Sequence, residues 1–344
     1  MSQLLTFDDV LIAPKFSTIQ SRKDVTLNAH MGEKLLSLPV ISANMDTVTD
    51  SDMCYAMGKA GGVGCLHRFM PPKATLSVWH ENLDNKPIIS IGLGSEEMGR
   101  ACLLANAGAT HFCIDVAHGA QLAVVEQANN LRKAVPHAYI IVGNFASADS
   151  VKEFLDRAFY SVDAFKVGVG PGSACTTRIK TGVGVPQLSA VMSIAKTLKN
   201  TDIQVIADGG MKTPGDIAKA LGAGAHFVML GGMLAGTDET PGEVIYPEVG
   251  PNEKACPVKK YRGSASHESY AVQGKVGSHR TAEGESFMVP YKGPVANILA
   301  DIEGGVRSAM TYVGARNLDE FRERCEFVQI SPATVRENGA HGKS

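Results

Sequence analysis

A cysteine in a loop of small residues suggests nucleophilic chemistry. The stretch GPGSACTTR, residues 170–178, places Cys175 after glycine, proline and serine residues and before two threonines and an arginine. Such a loop exposes a thiol to whatever the loop binds, and a thiolate can add to an electrophilic carbon and later leave. A small residue at a turn is the alternative interpretation of Cys175. The loop alone does not decide between the two.

Two glycine pairs suggest a site for an anion. ADGG ends one apolar run with Gly209 and Gly210, and LGGM ends another with Gly231 and Gly232. Successive N–H groups in glycine loops form concave anion sites, and phosphate sites after strands seven and eight recur in (β/α)8 barrels. A single glycine pair is more often only a turn. Together with the hydroxyl of Ser173, the two pairs predict a phosphorylated ligand.

Eight short apolar runs carry these motifs at fairly even spacing. They are continuous rather than alternating, as in parallel strands that are covered on both faces, and helical patterns lie between them. Eight such units predict an α/β fold, a (β/α)8 TIM barrel, with the chemistry at the carboxyl ends of the strands. A doubly wound sheet is the alternative, but ANMDTVTDS is not the glycine-rich first turn which that fold needs. The runs begin at Pro39, Gly61, Pro87, Thr110, Ala138, Asp163, Ile203 and Ala225.

The stretch from about 237 to 293 departs from the barrel pattern. It is rich in glycine, serine, proline and charge, and long segments of this kind are functional lids or disordered linkers. Two strand-like pieces, GEVIYPE and SFMVPY, favour an ordered flap. We therefore predict one barrel domain over residues 1–344, with an inserted flap and no CBS modules. A helix that turns at Gly304 and Gly305 follows the flap, and residues 334–344 are expected to form a loose tail.

Composition limits the class of protein. The chain has 344 residues, a formal net charge of -2 and no run of like charges, so nothing favours a nucleic-acid or membrane partner. Its seven cysteines include no C-x-x-C pair, which is typical of a reducing compartment and indicates neither a disulfide framework nor a zinc site. The sequence shows no signal peptide and no apolar stretch near the ~20 residues of a membrane span. These features predict a cytoplasmic protein.

The cysteine loop also carries a family resemblance. GPGSACTTRIKTGVGVPQLSAV, residues 170–191, resembles the active-site loop of the IMP dehydrogenase/GMP reductase family, whose cysteine attacks C2 of the purine base. The resemblance covers nearly the whole chain, through LTFDDVLIAPKFST, SANMDTV, ADGGMKTPGDIAKALGAGAHFVMLGGMLAG and GGVRSAMTYVGA. It implies that Cys175 is a nucleophile.

Two features indicate which activity of the family is expected. The dehydrogenases usually carry CBS modules between the second and third barrel units, whereas only a helix fits between Arg68 and Pro87. Their long flap contains an Arg-Tyr pair, whereas this flap contains RTAEG, as in the reductases. The resemblance thus implies NADPH-dependent reductive deamination of GMP to IMP and ammonia, through a cysteine thioimidate. An IMP dehydrogenase without CBS modules, forming XMP with NAD, is the main alternative, and a non-catalytic nucleotide sensor is a third.

The resemblance also implies roles for individual residues. Cys175 would attack C2, while Thr177 and Glu283 would pass a proton to the leaving amine. The substrate residues would be Ser42, Met45, Ser173, Asp208, Gly209, Gly210, Gly231, Gly232, Gly263, Ser264, Ala265, Arg280, Thr281, Ala282 and Gly284. The cofactor residues would be Ser21, Arg22, Arg68, Asp115, Val116, Ala117, Val169, Gly170, His279, Ser308 and Tyr312. A potassium ion (K+) would be held at Gly170, Gly172, Cys175 and Arg178, in a homotetramer.

Overall fold

The computed structural model describes residues 3–158, 162–248, 250, 255–272, 281–331 and 334. Three short strands precede the barrel: β1 (Val10–Ile12), β2 (Ala29–Met31) and β3 (Lys34–Leu36). β2 and β3 form an antiparallel hairpin that closes the amino end of the barrel. Met31 and Leu36 pack into the barrel interior, and the ring Nε2 of His111 lies 2.9 Å from the carbonyl oxygen of Met31. The carboxyl end is therefore the end that can receive a ligand.

Eight parallel strands form a closed barrel, which confirms the predicted fold. Their interior side chains form a continuous apolar cluster, and their outer side chains pack against the helices. Burial on both faces explains why the sequence runs are continuous rather than alternating. Each of the eight predicted runs contains one barrel strand. The strands are β4 (Val40–Ser42), β5 (Val63–Leu66), β6 (Ile88–Ile91), β7 (His111–Asp115), β8 (Tyr139–Phe145), β9 (Ala164–Val167), β10 (Gln204–Asp208) and β11 (Phe227–Leu230).

Helices alternate with the barrel strands. Between β5 and β6, where the chain is described without a gap, the connection contains only α2, and no CBS module is inserted there. The helices of the barrel are α1 (Ser51–Lys59), α2 (Pro72–Glu81), α3 (Ser95–Asn106), α4 (Leu122–Ala134), α5 (Ala148–Arg157), α6 (Thr177–Thr181), α7 (Gln187–Leu198) and α8 (Pro214–Gly222). After β11 come β12 (Val258–Arg262), α9 (His267–Val272), β13 (Ser286–Pro290), α10 (Val295–Val313), α11 (Leu318–Arg324) and β14 (Phe327–Gln329), which pairs with β1.

The expected turn at Gly304 and Gly305 is wrong, because α10 continues through both glycines. A Cβ atom on Gly305 would lie 2.6 Å from the Cβ of Pro214 at the start of α8. The glycine therefore allows α10 to approach α8 closely and does not end the helix. No helix within the described ranges, α10 included, is both long and apolar enough to cross a bilayer.

Within the described part of the flap, β12 and β13 pair antiparallel, with Lys260 opposite Met288. SFMVPY contains β13, as predicted. GEVIYPE does not form a strand, since only Ile245 makes a single bridge, to Val258. The strand that pairs with β13 is β12, which was not predicted from the sequence. Lys259 is buried, and its ammonium donates to the carbonyl oxygens of residues 237 and 240 at 3.0 and 2.5 Å.

Candidate active site

A cavity of about 350 Å³ lies at the carboxyl ends of the barrel strands, between the cysteine loop and the flap. Its size is within the range of small-molecule sites. Most of the residues expected at the site line this cavity. They are Met45, Arg68, Asp115, Val116, Ala117, Val169, Gly170, Gly172, Cys175, Thr177, Asp208, Gly209, Gly263, Ser264, Ala265, Glu283 and Gly284.

A chain of hydrogen bonds connects the thiol of Cys175 to a carboxylate of the flap. The Thr177 Oγ1 donates to Glu283 Oε2 at 2.7 Å, and Cys175 Sγ lies 3.2 Å from the same hydroxyl. A threonine hydroxyl has one hydrogen. Because that hydrogen is used toward Glu283, the thiol must be the donor to Thr177. The arrangement therefore leads a proton from sulfur toward the carboxylate.

Backbone pairing brings Glu283 to this position. The N–H of Thr176 donates to the carbonyl oxygen of Glu283 at 2.7 Å, and the N–H of Glu285 donates to that of Ala174 at 2.9 Å. On the other side, the N–H of Glu283 donates to the carbonyl oxygen of Ala265 at 3.1 Å. The flap is thus joined to the cysteine loop through main-chain hydrogen bonds, which place the backbone of Glu283 beside this loop.

An ion pair, which we call the latch, holds β12 to the barrel. Arg262 on β12 donates through Nε and a terminal nitrogen to the Asp46 carboxylate, at 3.0, 3.1 and 2.5 Å. The N–H of Arg262 also donates to the hydroxyl of Thr47 at 3.1 Å. Asp46 follows β4, so the latch joins the flap to the first barrel loop. The hydrogen bond and charge of Asp46 raise the pKa of Arg262 against the effect of burial, and Glu268 adds to them.

The second glycine pair, Gly231 and Gly232, lies beside two hydroxyl groups, whereas a Cβ atom on Gly209 or Gly210 would meet Pro171. A Cβ atom on Gly231 would lie 3.0 Å from the hydroxyl of Tyr261, and one on Gly232 would lie 2.7 Å from Ser173 Oγ. Only glycine fits at either position without a shift of these neighbours. Burial raises the pKa of Tyr261, and its hydrogen bond with Ser173 opposes that change. Tyr261 was missed from the sequence, where YRGSAS shows nothing that distinguishes a ligand tyrosine from a surface one.

The floor of the cavity carries a buried charged cluster, the floor cluster, of Asp115, Asn144, Lys166 and Asp208. The Lys166 ammonium lies 2.9 Å from Asp115 Oδ1 and 3.0 Å from Asp208 Oδ2, and it also contacts Asn144 Oδ1. Burial disfavours the charge on Lys166, yet Asp115 and Asp208 outweigh this effect and raise its pKa. Burial likewise opposes ionisation of Asp115, but Lys166 lowers the pKa of that carboxyl overall.

Lys166 and Asn144 were also missed, although one signal was present. DAFKVGVG places a lysine within an otherwise apolar buried strand, and lysine is almost never fully buried without a partner. A buried lysine at that position therefore predicts a carboxylate within its reach, and the structure places two there, Asp115 and Asp208.

A model of the IMP dehydrogenase / GMP reductase domain matches residues 4–341 of the chain. The chain belongs to the IMP dehydrogenase/GMP reductase family. A GMP reductase from Phytophthora infestans is 42% identical over 337 residues, which are 95% of this chain and 91% of that protein. One from Shewanella halifaxensis is 38% identical over 353 residues, with 98% and 97% coverage. Among solved structures, a GMP reductase variant from Trypanosoma brucei in complex with guanosine 5'-monophosphate has a TM-score of 0.88 and 27% identity, over 100% of this chain and 99% of that one.

Some residues implied by the family lie away from the cavity of this chain. Ser42 is fully buried inside the barrel, where its Oγ accepts from Thr49 Oγ1 at 2.8 Å. Ser173, Gly210, Gly231, Gly232, Thr281 and Ala282 do not line the cavity, although Ser173, Gly210 and Ala282 are next in sequence to residues that do. The four cofactor positions Ser21, Arg22, Ser308 and Tyr312 lie at or near α10, outside the cavity. His279 and Arg280 fall outside the described residues.

Arg178 is unsuited to bind a cation through its side chain. Its guanidinium donates from Nε to the Val169 carbonyl oxygen at 3.2 Å and from a terminal nitrogen to that of Val185 at 2.5 Å. A permanent positive charge repels a metal ion, so only the carbonyl oxygen of Arg178 could serve. Within the described part of the chain, no three histidine, cysteine, aspartate or glutamate side chains are grouped to hold a metal. A cation here would need backbone oxygens.

Proposed function

We propose that this member of the family is a GMP reductase of the cytoplasm, which converts GMP to IMP and ammonia with NADPH. The observation that carries the proposal is the hydrogen-bonded chain of Cys175, Thr177 and Glu283. An amine can leave C2 only if it is protonated, and a flap glutamate connected to the nucleophile through a threonine hydroxyl is suited to supply that proton. The reductases named among the relatives of this chain support the same activity.

The cavity suggests how GMP would lie. The phosphate would fit at Gly231 and Gly232, beside the hydroxyls of Ser173 and Tyr261. The ribose hydroxyls would reach Asp208 on the floor. The base would lie between Cys175 and the flap, with Met45 and residues 263–265 around it. Such contacts remote from C2 hold the reacting carbon at the sulfur and lower the entropic part of the barrier.

The first half of the reaction would replace the amine by sulfur. The thiol proton passes through Thr177 to Glu283, and Sγ of Cys175 bonds to C2. The same proton then returns from Glu283 through Thr177 to the amine, the C2–N bond breaks and ammonia leaves. The product is a thioimidate on Cys175, and one proton has moved without help from solvent.

The second half of the reaction would release IMP and regenerate the thiol of Cys175. NADPH supplies a hydride to C2 when bound. As C2 receives it, the C2–S bond breaks, and Cys175 leaves as a thiolate that takes a proton. GMP, NADPH and one proton thus give IMP, NADP+ and ammonia. Glu283 is not required to donate a proton in this half.

The residues present fit a cofactor with phosphate groups. Arg68 lines the cavity, and its buried Nε has no hydrogen-bond partner among the residues described. An unpaired buried guanidinium nitrogen is costly unless a ligand uses the group. Arg68 would therefore hold a cofactor phosphate, and Asp115, Val116 and Ala117 would flank the nicotinamide half. The preference for NADPH over NADH rests on the family resemblance.

Potassium and the homotetramer belong to the same proposal. Carbonyl oxygens are the ligands that replace the hydration shell of potassium in proteins, and the cysteine loop offers those of Gly170, Gly172 and Cys175. The homotetramer is supported by exposed apolar side chains near the predicted cofactor residues that lie outside the cavity. Phe16 is 88% exposed and Tyr312 is 66% exposed, and the N–H of Lys15 donates to the carbonyl oxygen of Tyr312 at 2.9 Å.

Two assays of the purified chain test the activity. With GMP and NADPH, we expect loss of absorbance at the NADPH band together with an equal amount of ammonia. With IMP and NAD, we expect little NADH. If the second reaction is faster, the chain is an IMP dehydrogenase. If neither occurs and GMP still binds, the chain is a nucleotide sensor.

A further inference from the structure

Lys166 has contacts that distinguish the two oxygens of Asp208. Its ammonium lies 3.0 Å from Oδ2 of that carboxylate, and Asn144 Nδ2 donates to the same oxygen at 2.9 Å. Both donors come from the barrel floor. No described residue donates to the other oxygen, Oδ1, and Asp208 is one of the residues that line the cavity.

Asn144 is itself held in position. Its Nδ2 also donates to the carbonyl oxygen of Gly168 at 2.7 Å, and its Oδ1 accepts from Lys166. The side chain of Lys166 is 3% exposed, while those of Asp115 and Asp208 are 20% and 22% exposed. The ammonium is thus the buried centre of the cluster, and the carboxylates are its faces toward the ligand.

We propose that Lys166 is a positioning residue that gives the site its selectivity for ribonucleotides, because it fixes Asp208 with one oxygen presented to the ribose hydroxyls. This inference rests on the proposed function, since it assumes that a guanine nucleotide occupies the cavity. It adds the residue that determines recognition of the sugar. A carboxylate held by two donors on one oxygen loses little freedom when hydroxyls bind to the other.

A purely structural role for Lys166 makes a different prediction. Two carboxylates and one ammonium give the floor cluster one net negative charge. If Lys166 only offset the repulsion between Asp115 and Asp208, any change that restored this net charge would restore the site. If Lys166 positions Asp208, the direct contact to Oδ2 is needed and the net charge is not sufficient.

The test measures binding rather than turnover. Calorimetry without cofactor would compare the dissociation constants of GMP and of 2′,3′-dideoxy-GMP, which lacks both ribose hydroxyls. The variants are Lys166→Met, Asp115→Asn and the double variant Lys166→Met with Asp115→Asn, which keeps one net negative charge. Lys219→Met is the matched control, because Lys219 is a largely buried lysine on α8 that contacts Asp216 at 3.4 Å, away from the cavity.

We expect the wild type, Asp115→Asn and Lys219→Met to prefer GMP by at least about tenfold, as hydrogen bonds to a charged group provide. Lys166→Met should reduce that preference to roughly twofold or less, and so should the double variant. If Lys166→Met alone does not fold, the double variant still tests whether Lys166 is needed for the preference for GMP. Its charge equals that of the wild type, so recovery of the full preference in the double variant would overturn the proposal.

The remaining outcomes separate this inference from the proposed function. If the wild type does not bind GMP at all, the proposed function fails and the inference fails with it. If the wild type binds GMP and Lys166→Met keeps its preference, or if the wild type does not distinguish the two nucleotides, only the role of Lys166 is refuted.

Discussion

At the scale of single residues, Thr177 connects the thiol of Cys175 to the flap carboxylate. Its hydroxyl connects Cys175 Sγ at 3.2 Å with Glu283 Oε2 at 2.7 Å. Neither end of this chain can exchange a proton with the other directly, because the threonine oxygen lies between them. The proposed mechanism therefore requires a hydroxyl at position 177 but not the methyl group of threonine.

We predict that Thr177→Val lowers the rate of GMP reduction by about 10²–10⁴, the usual contribution of a positioned acid–base group. Valine keeps the shape of threonine but cannot pass a proton. Thr177→Ser keeps the hydroxyl and should retain most of the activity. Initial rates of NADPH oxidation compare the two variants. A valine variant as active as the serine variant would show that the proton takes another route.

At the scale of elements, the latch connects β12 of the flap to the loop that follows β4. Arg262 and Asp46 are 17% and 10% exposed in their side chains, so removal of the arginine leaves a largely buried carboxylate without its partner. β12 continues directly into residues 263–265, whose main chain also holds Glu283. A displaced β12 would therefore move the carboxylate away from Thr177.

We predict that Arg262→Met lowers kcat by roughly 10²-fold, because a misplacement of about 1 Å can cost that much. Lys260→Met is the control on the same strand. Lys260 pairs with Glu268, but the two side chains are 43% and 45% exposed, and exposed pairs contribute about 0–1 kcal/mol. Steady-state rates should separate the variants. Equal losses in both would mean that the latch does not place the flap.

The paired glycines of α10 provide a second test at this scale. A Cβ atom on Gly305 would lie 2.6 Å from the Cβ of Pro214, whereas one on Gly304 would have nothing within 4 Å. We predict that Gly305→Ala lowers the free energy of unfolding by about 1–3 kcal/mol through overpacking. Gly304→Ala should raise it by about 0.5–1 kcal/mol, since alanine favours helix over glycine. Urea unfolding curves measure both. The same sign for the two would contradict the close approach of α10 to α8.

At the scale of the whole molecule, buried histidines link stability to pH. Burial lowers the pKa of His226 to about 4, with a further contribution from the charge of Arg322. The neutral ring is required, because its Nδ1 accepts the N–H of Val205 at 3.1 Å. Burial also lowers the pKa of His67 and of His111. The unfolded chain would bind protons at all three positions near pH 6.5.

We predict that the free energy of unfolding falls as the pH is lowered from about 6.5 to about 4, because the unfolded state binds more protons in that window. Above the window, His226 is neutral in both states and contributes no pH dependence. His226→Asn keeps an acceptor for the N–H of Val205 but does not titrate. The free energy of unfolding of this variant should therefore depend less on pH, and His67 and His111 should account for the dependence that remains. Urea unfolding at several pH values measures this. Parallel curves for the variant and the wild type would exclude a buried neutral ring.

The barrel was predictable because its signals are local. Each strand run is apolar over consecutive residues, as burial on both faces requires, and the eight runs contain β4 to β11 without exception. The flap was harder to predict. β12 carries three cationic residues, and only the tertiary structure shows that carbonyl oxygens of residues 237 and 240 accept from the buried Lys259. The turn predicted at Gly305 was wrong for a related reason. From the sequence alone, a glycine that permits close packing of two helices cannot be distinguished from a glycine that ends a helix.

The sequence by itself determined the fold and the family and indicated Cys175 as the candidate nucleophile, because these depend on periodicity and on one continuous loop. The tertiary structure decided which distant groups meet. Thr177 and Glu283 are 106 positions apart, and Lys166 lies between carboxylates on two other strands. Such contacts depend on barrel closure, strand register and the pairing of the flap with the cysteine loop. These arise from many weak interactions along the whole chain, so no short stretch of sequence contains them.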